Sequence, residues 1–552
     1  MALEKNPRHS SPRVIIIGAG IGGITSGISL KQRLGFNNFS WNTYPGCASD
    51  IATHWYTLSS DLNPDWDRTH VYQPQLKAYW KRVASKYNIN GHITYLTKVV
   101  AAEWDYKRQI WRVELLDLRS GETRTEYANA VISAIGVLDT PHYPENLKGI
   151  QTTFKGEHFH SARWNWNIDL RNKRVAVIGN GCSAAQFVPV ISEDPTTQVL
   201  SFCRTPSWIF PKWQKPITTV WRRVFKYVPF SMRFYRWSIA IQQELYYILL
   251  LKGGPVNKRR DAVAKDLTNY MKGIAPKEYH DLLTPKYPLG CKRFIIDSGY
   301  FEALNRPNND ITYDGIAEIT EKGILTKSGK HHEFDVIIEA TGFITNDFPI
   351  AVRGSESTTI RDYFRERGGP EAYKGTTIPG FPNFFTVCGP NTATGHASVI
   401  FTEEMQISYI TQILEPVIKG LASSFEVTHE AADTWNKYVH TKLSTAVWSV
   451  CHSWYRGGNG KNSNIWPGTT TSQWWELKSP NWKHYKAVGA EKWKKRQTLK
   501  SVWRTTELVT IGAAVAYAYL HPDEATQAFS QTKDLVSSQW EALVHIASGL
   551  LI

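Results

Sequence analysis

The sequence predicts an α/β fold with two parallel-sheet domains, because an apolar strand runs into a glycine-rich turn and then a helix at two separate places. The first place is residues 14–23 and the second is residues 175–185. With 552 residues, 42% apolar and 20% charged, the chain is typical of a globular protein of several domains. Further strands are predicted at 111–115, 130–134, 334–338 and 384–388, followed by a helical C-terminal tail.

Gly18, Gly20 and Gly23 form the first glycine-rich turn, and their spacing is typical of a dinucleotide-binding Rossmann unit. The first glycine allows the tight turn, and the second lets a pyrophosphate approach the backbone. The third lets the helix pack on the strand, so that the helix N-terminus faces the phosphates. A chance glycine-rich turn is the alternative.

The second unit has the same pattern with alanine in the third position. Two such units in one chain predict two bound dinucleotides, with electrons passing between them. Arg204 follows about 20 residues after this turn, where an arginine suits a 2′-phosphate, so NADPH is favoured over NADH. A surface arginine at a strand end is the alternative. The positions expected at the second dinucleotide are Gly179, Gly181, Ser183, Ala184, Arg204 and Thr205.

Phe154, Gly156, His160 and Trp164 lie between the two turns with the spacing F-x-G-x-x-x-H-x-x-x-W. This segment resembles the fingerprint of the Baeyer–Villiger monooxygenases, a flavoenzyme family. Flavin-containing N/S-monooxygenases have a similar pattern but usually lack the last residue, so Trp164 favours the Baeyer–Villiger type. The alternative for His160 and Trp164 is plain packing between domains.

Two later segments are similar to further motifs of that family. Residues 340–343, Ala-Thr-Gly-Phe, match the point where the chain returns to the flavin domain, and Gly389 and Asn391 match the loop beside the isoalloxazine ring. The resemblance covers residues 13–485 and implies that an NADP domain is inserted in an FAD domain. The implied domains are 1–150 and 341–490 for FAD, 151–340 for NADP, and 491–552 for the tail.

The resemblance also implies the catalytic residues. Arg293 matches the family's active-site arginine, and Asp50, in the loop that begins at Tyr44, matches the aspartate that orients it. A fixed guanidinium stabilises the oxygen anion that forms from reduced flavin and O2, and also the adduct of that anion with a ketone. A paired carboxylate holds the guanidinium in place. The alternatives are that Arg293 anchors a cofactor phosphate and that Asp50 caps its loop. Tyr44 is expected at the cofactor.

The first dinucleotide unit lacks its ribose-binding acid. That acid should follow the turn by about 20 residues, yet no Asp or Glu occurs between Gly23 and Asp50. The strand that carries it in the family is missing at the junction of Ser40 and Trp41. Three explanations compete: an error in the gene reading, a splice form or decayed FAD-poor protein, and a variant that holds FAD otherwise. If the chain lacks this strand, the edges of the neighbouring strands are exposed, which predicts weak FAD binding and poor solubility.

The net charge of +15 is concentrated in one segment. Residues 212–275 carry thirteen basic and three acidic residues, interleaved with aromatic side chains. A helical insertion with a solvated basic face is expected, and a membrane-surface element or lid for an apolar substrate is the alternative. Nucleic-acid binding is not favoured, because no motif that reads nucleic-acid sequence accompanies the charge.

The tail is expected to pack on the body or rest on a membrane surface, since its apolar run at 508–520 is too short to span a bilayer.

The six cysteines lack C-x2-C spacing, which argues against a disulfide scaffold, a dithiol redox site and a zinc site, so no metal is expected. No secretory signal peptide is evident, and a cytoplasmic location is expected.

Taken together, these patterns predict an FAD- and NADPH-dependent monooxygenase that inserts one oxygen of O2 beside a ketone. The residues at 54–56 and 62–66 resemble those of fungal family members in polyketide or terpenoid pathways, which suggests a large apolar substrate. Hydroxylation or N/S-oxygenation, and a flavin-free remnant, are the alternatives. The oligomeric state stays open.

Overall fold

The structure is a computed structural model that describes residues 12–18, 20–31, 43–211, 214–451, 453–456 and 460–527. It divides into two compact units, Met1–Val488 and Gly489–Ile552. The strands are β1 (Val14–Ile17), β2 (Thr97–Asp105), β3 (Ile110–Asp117), β4 (Thr123–Ala128), β5 (Ala130–Ser133), β6 (Glu157–His160), β7 (Arg174–Ile178), β8 (Gln198–Phe202), β9 (Ile209–Phe210), β10 (Ile295–Ile296), β11 (Asn309–Thr312), β12 (Ile316–Thr320), β13 (Gly323–Thr326), β14 (His331–Glu333), β15 (Val336–Glu339), β16 (Ala351–Arg353), β17 (Phe384–Thr386), β18 (Ser424–Val427) and β19 (Tyr485–Val488). The helices are α1 (Ile21–Lys31), α2 (Gln73–Lys86), α3 (Gly149–Thr152), α4 (Cys182–Ile191), α5 (Thr219–Tyr227), α6 (Ser231–Tyr247), α7 (Gly254–Lys272), α8 (His280–Leu283), α9 (Tyr300–Ala303), α10 (Ile360–Glu366), α11 (Val399–Ile418), α12 (His429–Ser444), α13 (Thr470–Leu477) and α14 (Glu491–Leu520).

The first glycine-rich turn follows β1, which belongs to a parallel sheet of order β1–β5–β17. Val14 pairs with Ala130, and Phe384 pairs with Val131 on the other side of β5. Every residue of these three strands is buried, as their continuous apolar runs predict. Among the described residues β1 lies at the edge of this sheet. The junction of Ser40 and Trp41 lies outside the described residues, so the missing strand remains a prediction.

The second glycine-rich turn follows β7, an inner strand of a five-stranded parallel sheet of order β11–β8–β7–β15–β6. All of its strands lie between β5 and β17 in sequence, so this sheet is inserted in the chain that builds the first one. The prediction of an α/β fold with one dinucleotide-binding domain inserted in another is therefore confirmed. A mixed sheet of order β16–β2–β3–β4 packs its Trp104 and Trp111 on the first sheet at Phe384.

The basic segment forms three helices, α5, α6 and α7, which leave the second domain after β9 and return before β10. The structure also joins Cys291 and Cys451 in a disulfide between distant parts of the chain, which the cysteine spacing does not indicate. In the second unit the tail forms the long helix α14, which begins at Glu491 and ends at Leu520. No helix in the described part of the chain is long and apolar enough to cross a membrane. The apolar end of the tail lies outside the described residues.

Candidate active site

The first glycines of the two turns are required by the fold. Gly18 has a φ of +95°, and a Cβ there would lie 2.6 Å from the carbonyl oxygen of Ala134, just after β5. Gly179 has a φ of +111°, and a Cβ there would lie 2.5 Å from the carbonyl oxygen of Ala340, just after β15. Each turn thus presses its glycine against the backbone that follows the neighbouring parallel strand, where no other residue fits.

The second glycines of the two turns have open space beside them. A Cβ at Gly20 or at Gly181 would meet no atom of the described residues within 4 Å. Gly23 and Ala184, at the third positions, are buried in the first turns of α1 and α4. The open face beside each second glycine fits the close approach of a pyrophosphate to a helix N-terminus. Both turns therefore suit a dinucleotide.

Two cations meet at the end of β8. Arg204 is exposed directly after the strand, and Asn180 donates a hydrogen bond to the carbonyl oxygen of Thr205 at 2.9 Å. Burial, and next the charge of Arg204, lower the pKa of Lys292. Two neighbouring cations suit a doubly charged phosphate. Lys292 was not predicted from the sequence, because it approaches Arg204 only through the fold.

The loop that begins at Tyr44 is docked on α4 of the inserted domain. Tyr44 donates its hydroxyl hydrogen to Oε1 of Gln186 at 3.0 Å, and Ser183 also hydrogen-bonds this phenol. Gln186 Nε2 donates in turn to the carbonyl oxygen of Ala48 at 3.1 Å. A Cβ at Gly46 would lie 2.5 Å from the backbone oxygen of Gln186, so the loop lies flat on the helix.

Arg293 joins three parts of the structure. Its guanidinium forms an ion pair and hydrogen bond with Asp50 and donates to the carbonyl oxygen of Gly395 at 3.1 Å. The Cys182 thiol, at the start of α4, bonds the same guanidinium. Burial alone lowers the pKa of Arg293, but the neighbouring groups, Asp50 first among them, together outweigh burial and the pKa is raised. The structure thus brings the two predicted catalytic residues together with a guanidinium that stays charged.

Three further groups, besides the predicted catalytic residues, lie around this guanidinium. The phenol of Tyr455 is buried beside Arg293, and burial raises its pKa. Burial, and next the charge of Arg293, lower the pKa of His396 to about 4. Burial raises the pKa of the Cys182 thiol to about 11. Neutral imidazole, phenol and thiol groups therefore surround one permanent cation.

The loop before α11 holds several buried polar atoms without a hydrogen-bond partner among the described residues. They are Thr394 Oγ1, both ring nitrogens of His396, Ser398 Oγ and, one turn into the helix, Glu403 Oε2. Buried polar atoms are ordinarily paired, so such a group indicates a polar ligand. An isoalloxazine ring, with its carbonyl and N–H edge, fits this set.

Gly389 and Asn391, predicted at the flavin, contact protein atoms in the structure. A Cβ at Gly389 would lie 2.4 Å from the carbonyl oxygen of Gly375. Asn391 donates Nδ2 hydrogens to the carbonyl oxygens of Asn462 at 2.8 Å and Ile465 at 3.1 Å. These contacts hold the loop in place, and a direct contact of either residue with a cofactor stays a prediction.

The fingerprint segment packs on β6 and α4 of the inserted domain. Trp164 packs on Phe187 of α4 and on Phe159, with ring centroids 5.2 and 5.0 Å apart. His160 is buried, its Nδ1 accepts from the backbone N–H of Ala162 at 3.1 Å, and burial lowers its pKa to about 4. A Cβ at Gly156 would collide with the ring of Phe154. These are packing contacts, and a part of the four residues in coupling the domains stays a prediction.

Residues 60–230 match a protein-family model described as flavin-binding monooxygenase-like. A Baeyer–Villiger monooxygenase of Pseudomonas aeruginosa is 36% identical over 493 residues, which cover 85% of this chain and 91% of that protein. The chain belongs to the Baeyer–Villiger monooxygenases. A further relative of this flavoenzyme, the FAD-binding monooxygenase ktnD of Aspergillus niger, is 32% identical over 513 residues, covering 86% of this chain and 82% of that one.

Solved structures agree with this assignment. The cyclohexanone monooxygenase from Rhodococcus sp. bound to NADP+ has 25% identity and a TM-score of 0.75, covering 87% of this chain and 100% of that chain. The complex of OTEMO with FAD and NADP shares the fold, with a TM-score of 0.75 and 24% identity over 87% of this Baeyer–Villiger monooxygenase. The expectation of a flavin-dependent monooxygenase with FAD and NADP domains is confirmed.

Proposed function

We propose that this Baeyer–Villiger monooxygenase uses FAD and NADPH to insert one oxygen atom of O2 beside the carbonyl of a large apolar ketone. The observation that carries the proposal is the position of Arg293. Its guanidinium lies between the first turn of α4, at Cys182, and the loop before α11, at Gly395. One cation therefore reaches both the NADP side and the flavin side of the site.

The residues of the chain have separable tasks in this reaction. Bound FAD, reduced by NADPH, supplies the activated oxygen, and the second oxygen atom leaves as water. Arg293 stabilises negative charge on oxygen during attack on the ketone, in a buried site where a fixed cation acts strongly. Asp50 keeps the guanidinium aligned and ionised. Lys292 and Arg204 hold the 2′-phosphate that distinguishes NADPH from NADH.

Aromatic side chains around the flavin-side loop support an apolar substrate. The ring of Tyr247, at the end of α6, lies 5.5 Å from His396 and 6.4 Å from Trp448 between centroids. Trp55 lies 5.0 Å from Phe401 on α11. Such walls favour large apolar ligands with few polar groups. A polyketide or terpenoid ketone of secondary metabolism fits this setting and the fungal resemblance at 54–56.

The first test is the visible absorption spectrum of the purified protein with this unaltered sequence, with FAD supplied during expression. A flavin band near one FAD per chain supports the proposal and shows that the chain holds FAD without the missing strand. A colourless protein points to the junction of Ser40 and Trp41. Insertion of a strand, its terminal acid and a Gly-Gly turn there must then restore the band, and failure to do so contradicts the proposal.

The second test follows the product. Incubation of the flavin-loaded enzyme with NADPH, O2 and an apolar ketone is expected to give an ester or lactone. Arg293→Ala should abolish the ester while NADPH still reduces the flavin, whereas Arg293→Lys should retain a small fraction of activity. Oxidation of an amine or thioether with no ester from any ketone would show N/S-oxygenation and reject the Baeyer–Villiger assignment.

A further inference from the structure

Helix α6 presents an apolar stripe to solvent. Its exposed large side chains are three to four residues apart and so lie on one face of the helix. Each is between 58% and 69% exposed. The stripe is formed by Phe230, Phe234, Trp237, Ile241 and Leu245. A contiguous apolar patch of this kind on a folded protein marks an interaction surface.

The orientation of this stripe is fixed by the opposite face of α6. Arg236 is buried and donates to the carbonyl oxygen of Thr57 at 2.7 Å and to Oγ of Ser59 at 2.9 Å. Ile239 and Gln243 are buried on the same side of the helix as Arg236. Since this side is held in the body, the helix cannot rotate its apolar face inward.

Exposed basic side chains accompany the stripe. They are Arg223 and Lys226 on α5 and Arg233 on α6. Glu244 is the only carboxylate in the sequence from residue 212 to residue 260, and it accepts hydrogen bonds from the backbone N–H of Thr470, at 2.8 Å, and from its hydroxyl. The exposed side chains of α5 and α6 therefore include apolar, aromatic and cationic groups and no anion. Trp221 and Tyr227 add exposed aromatic rings on α5.

We infer that α5 and α6 form a docking surface for a membrane that contains anionic lipids. Aromatic and aliphatic side chains enter the boundary between headgroups and acyl chains, and arginine and lysine bind the anionic headgroups. A second copy of the chain is a poorer occupant, because pairing two such faces would bring like charges together. The surface is independent of the proposed function and adds a location for it: the interface of a bilayer, where apolar ketones accumulate.

Vesicle sedimentation of the full chain tests the inference. The protein should pellet with phosphatidylcholine vesicles that contain phosphatidylserine, and much less with phosphatidylcholine alone or at high salt. The triple variant Phe234→Gln, Trp237→Gln, Ile241→Gln should lower the partition coefficient about tenfold or more. Charge reversal by Arg223→Glu, Lys226→Glu and Arg233→Glu should remove the preference for anionic vesicles.

A matched control removes exposed apolar side chains elsewhere. Tyr95, Tyr106 and Leu118, on and beside the β2–β3 hairpin, are between 53% and 68% exposed. Their triple glutamine variant should bind vesicles like the unchanged protein. A variant that ends at Val488 should also bind, because the docking surface lies in the first unit.

Three results would overturn the inference. The first is no binding of the unchanged protein to anionic vesicles. The second is loss of binding on removal of the tail with full binding by the α6 triple variant. The third is a dimer in light scattering that the α6 triple variant converts to a monomer, since the stripe would then be an interface between copies. Equal melting temperatures for all variants confirm that each comparison concerns folded protein.

Discussion

Tyr44 and Gln186 connect the two dinucleotide-binding domains through one hydrogen bond of 3.0 Å. Gln186 lies on α4 of the inserted domain, and its amide also binds the backbone of Ala48. Because Asp50 ends the same loop, the position of the carboxylate that holds Arg293 depends on a glutamine that belongs to the other domain. The geometry of the reacting centre is therefore set across the domain boundary.

Gln186→Leu should leave the carbonyl oxygen of Ala48 without the Gln186 amide and leave the half-buried Tyr44 hydroxyl with Ser183 alone. We expect a loss of about 1–3 kcal/mol in the free energy of unfolding, which is the cost of buried unsatisfied groups. Urea unfolding measures this. Gln198→Leu, at an exposed position in the same domain, is the control. Equal losses in both variants would contradict the role of Gln186.

The four turn glycines should separate folding from binding. Gly18→Ala and Gly179→Ala should lower the melting temperature, because each Cβ would collide with a backbone oxygen at positive φ. Gly20→Ala and Gly181→Ala should leave the melting temperature of the ligand-free protein unchanged, since a Cβ there meets no atom within 4 Å.

Binding of the dinucleotides completes this prediction. Gly20→Ala should reduce the FAD content after purification, and Gly181→Ala should weaken NADP+ binding in a titration, because the methyl group occupies the path of the pyrophosphate. Each substitution serves as the control for the other, since each should affect one dinucleotide alone. Unchanged FAD and NADP+ binding in both would reject the assignment of the turns.

Glu403 should make stability fall as the pH rises. It is buried beside α1, where a Cβ at Gly22 would lie 3.5 Å from its Oε1, and burial raises its pKa from 4.5 to about 8. Between these values the folded protein keeps a proton that the unfolded chain has released. The stabilisation is therefore complete below about pH 4.5 and is lost as the pH rises to about 8.

Glu403→Gln should reduce the fall in melting temperature between about pH 5 and pH 8, because the amide has no proton to lose. Burial also raises the pKa of Glu339, to about 7, so part of the fall should remain. Glu366→Gln, on the exposed side of α10, is the control and should follow the unchanged protein. Identical pH profiles for all three proteins would show that Glu403 is ionised in the fold.

The Cys291–Cys451 disulfide should stabilise the protein and hold Arg293, which follows Cys291 by two residues. It closes a sequence separation of 160 residues and both sulfurs are buried. Reductant should lower the free energy of unfolding by about 2–5 kcal/mol. Cys451→Ser should show the lowered value with or without reductant. Peptide mapping under non-reducing conditions should recover the linked pair, and alkylation of both thiols in native protein would contradict the bond.

The sequence was sufficient for features that are local or that follow the family's motifs. The glycine turns are short patterns whose geometry depends on a few consecutive residues, and they predict both parallel sheets. Asp50 and Arg293 are 243 residues apart, and their pairing was expected from the resemblance alone.

Other parts of the site follow from contacts that no local pattern carries. Gln186 hydrogen-bonds the backbone of Ala48, which lies 138 residues earlier in the sequence. Lys292 approaches Arg204 only through the fold, beyond the end of β8. Glu403 lies among polar residues of α11 in the sequence, and its burial arises from packing against α1. Such contacts depend on the arrangement of whole elements, which the one-dimensional pattern does not contain.

Helix α6 carries the outward stripe along its length and ends at Tyr247, whose ring lies against His396. Leu245, the last residue of the stripe, precedes Tyr247 by two positions, so about one helix diameter of 10 Å separates the lipid-facing side from the loop beside Arg293. For an enzyme docked in this way, turnover would follow the mole fraction of ketone within the bilayer rather than its concentration in water. Addition of inert lipid at constant total ketone would then slow the reaction by surface dilution.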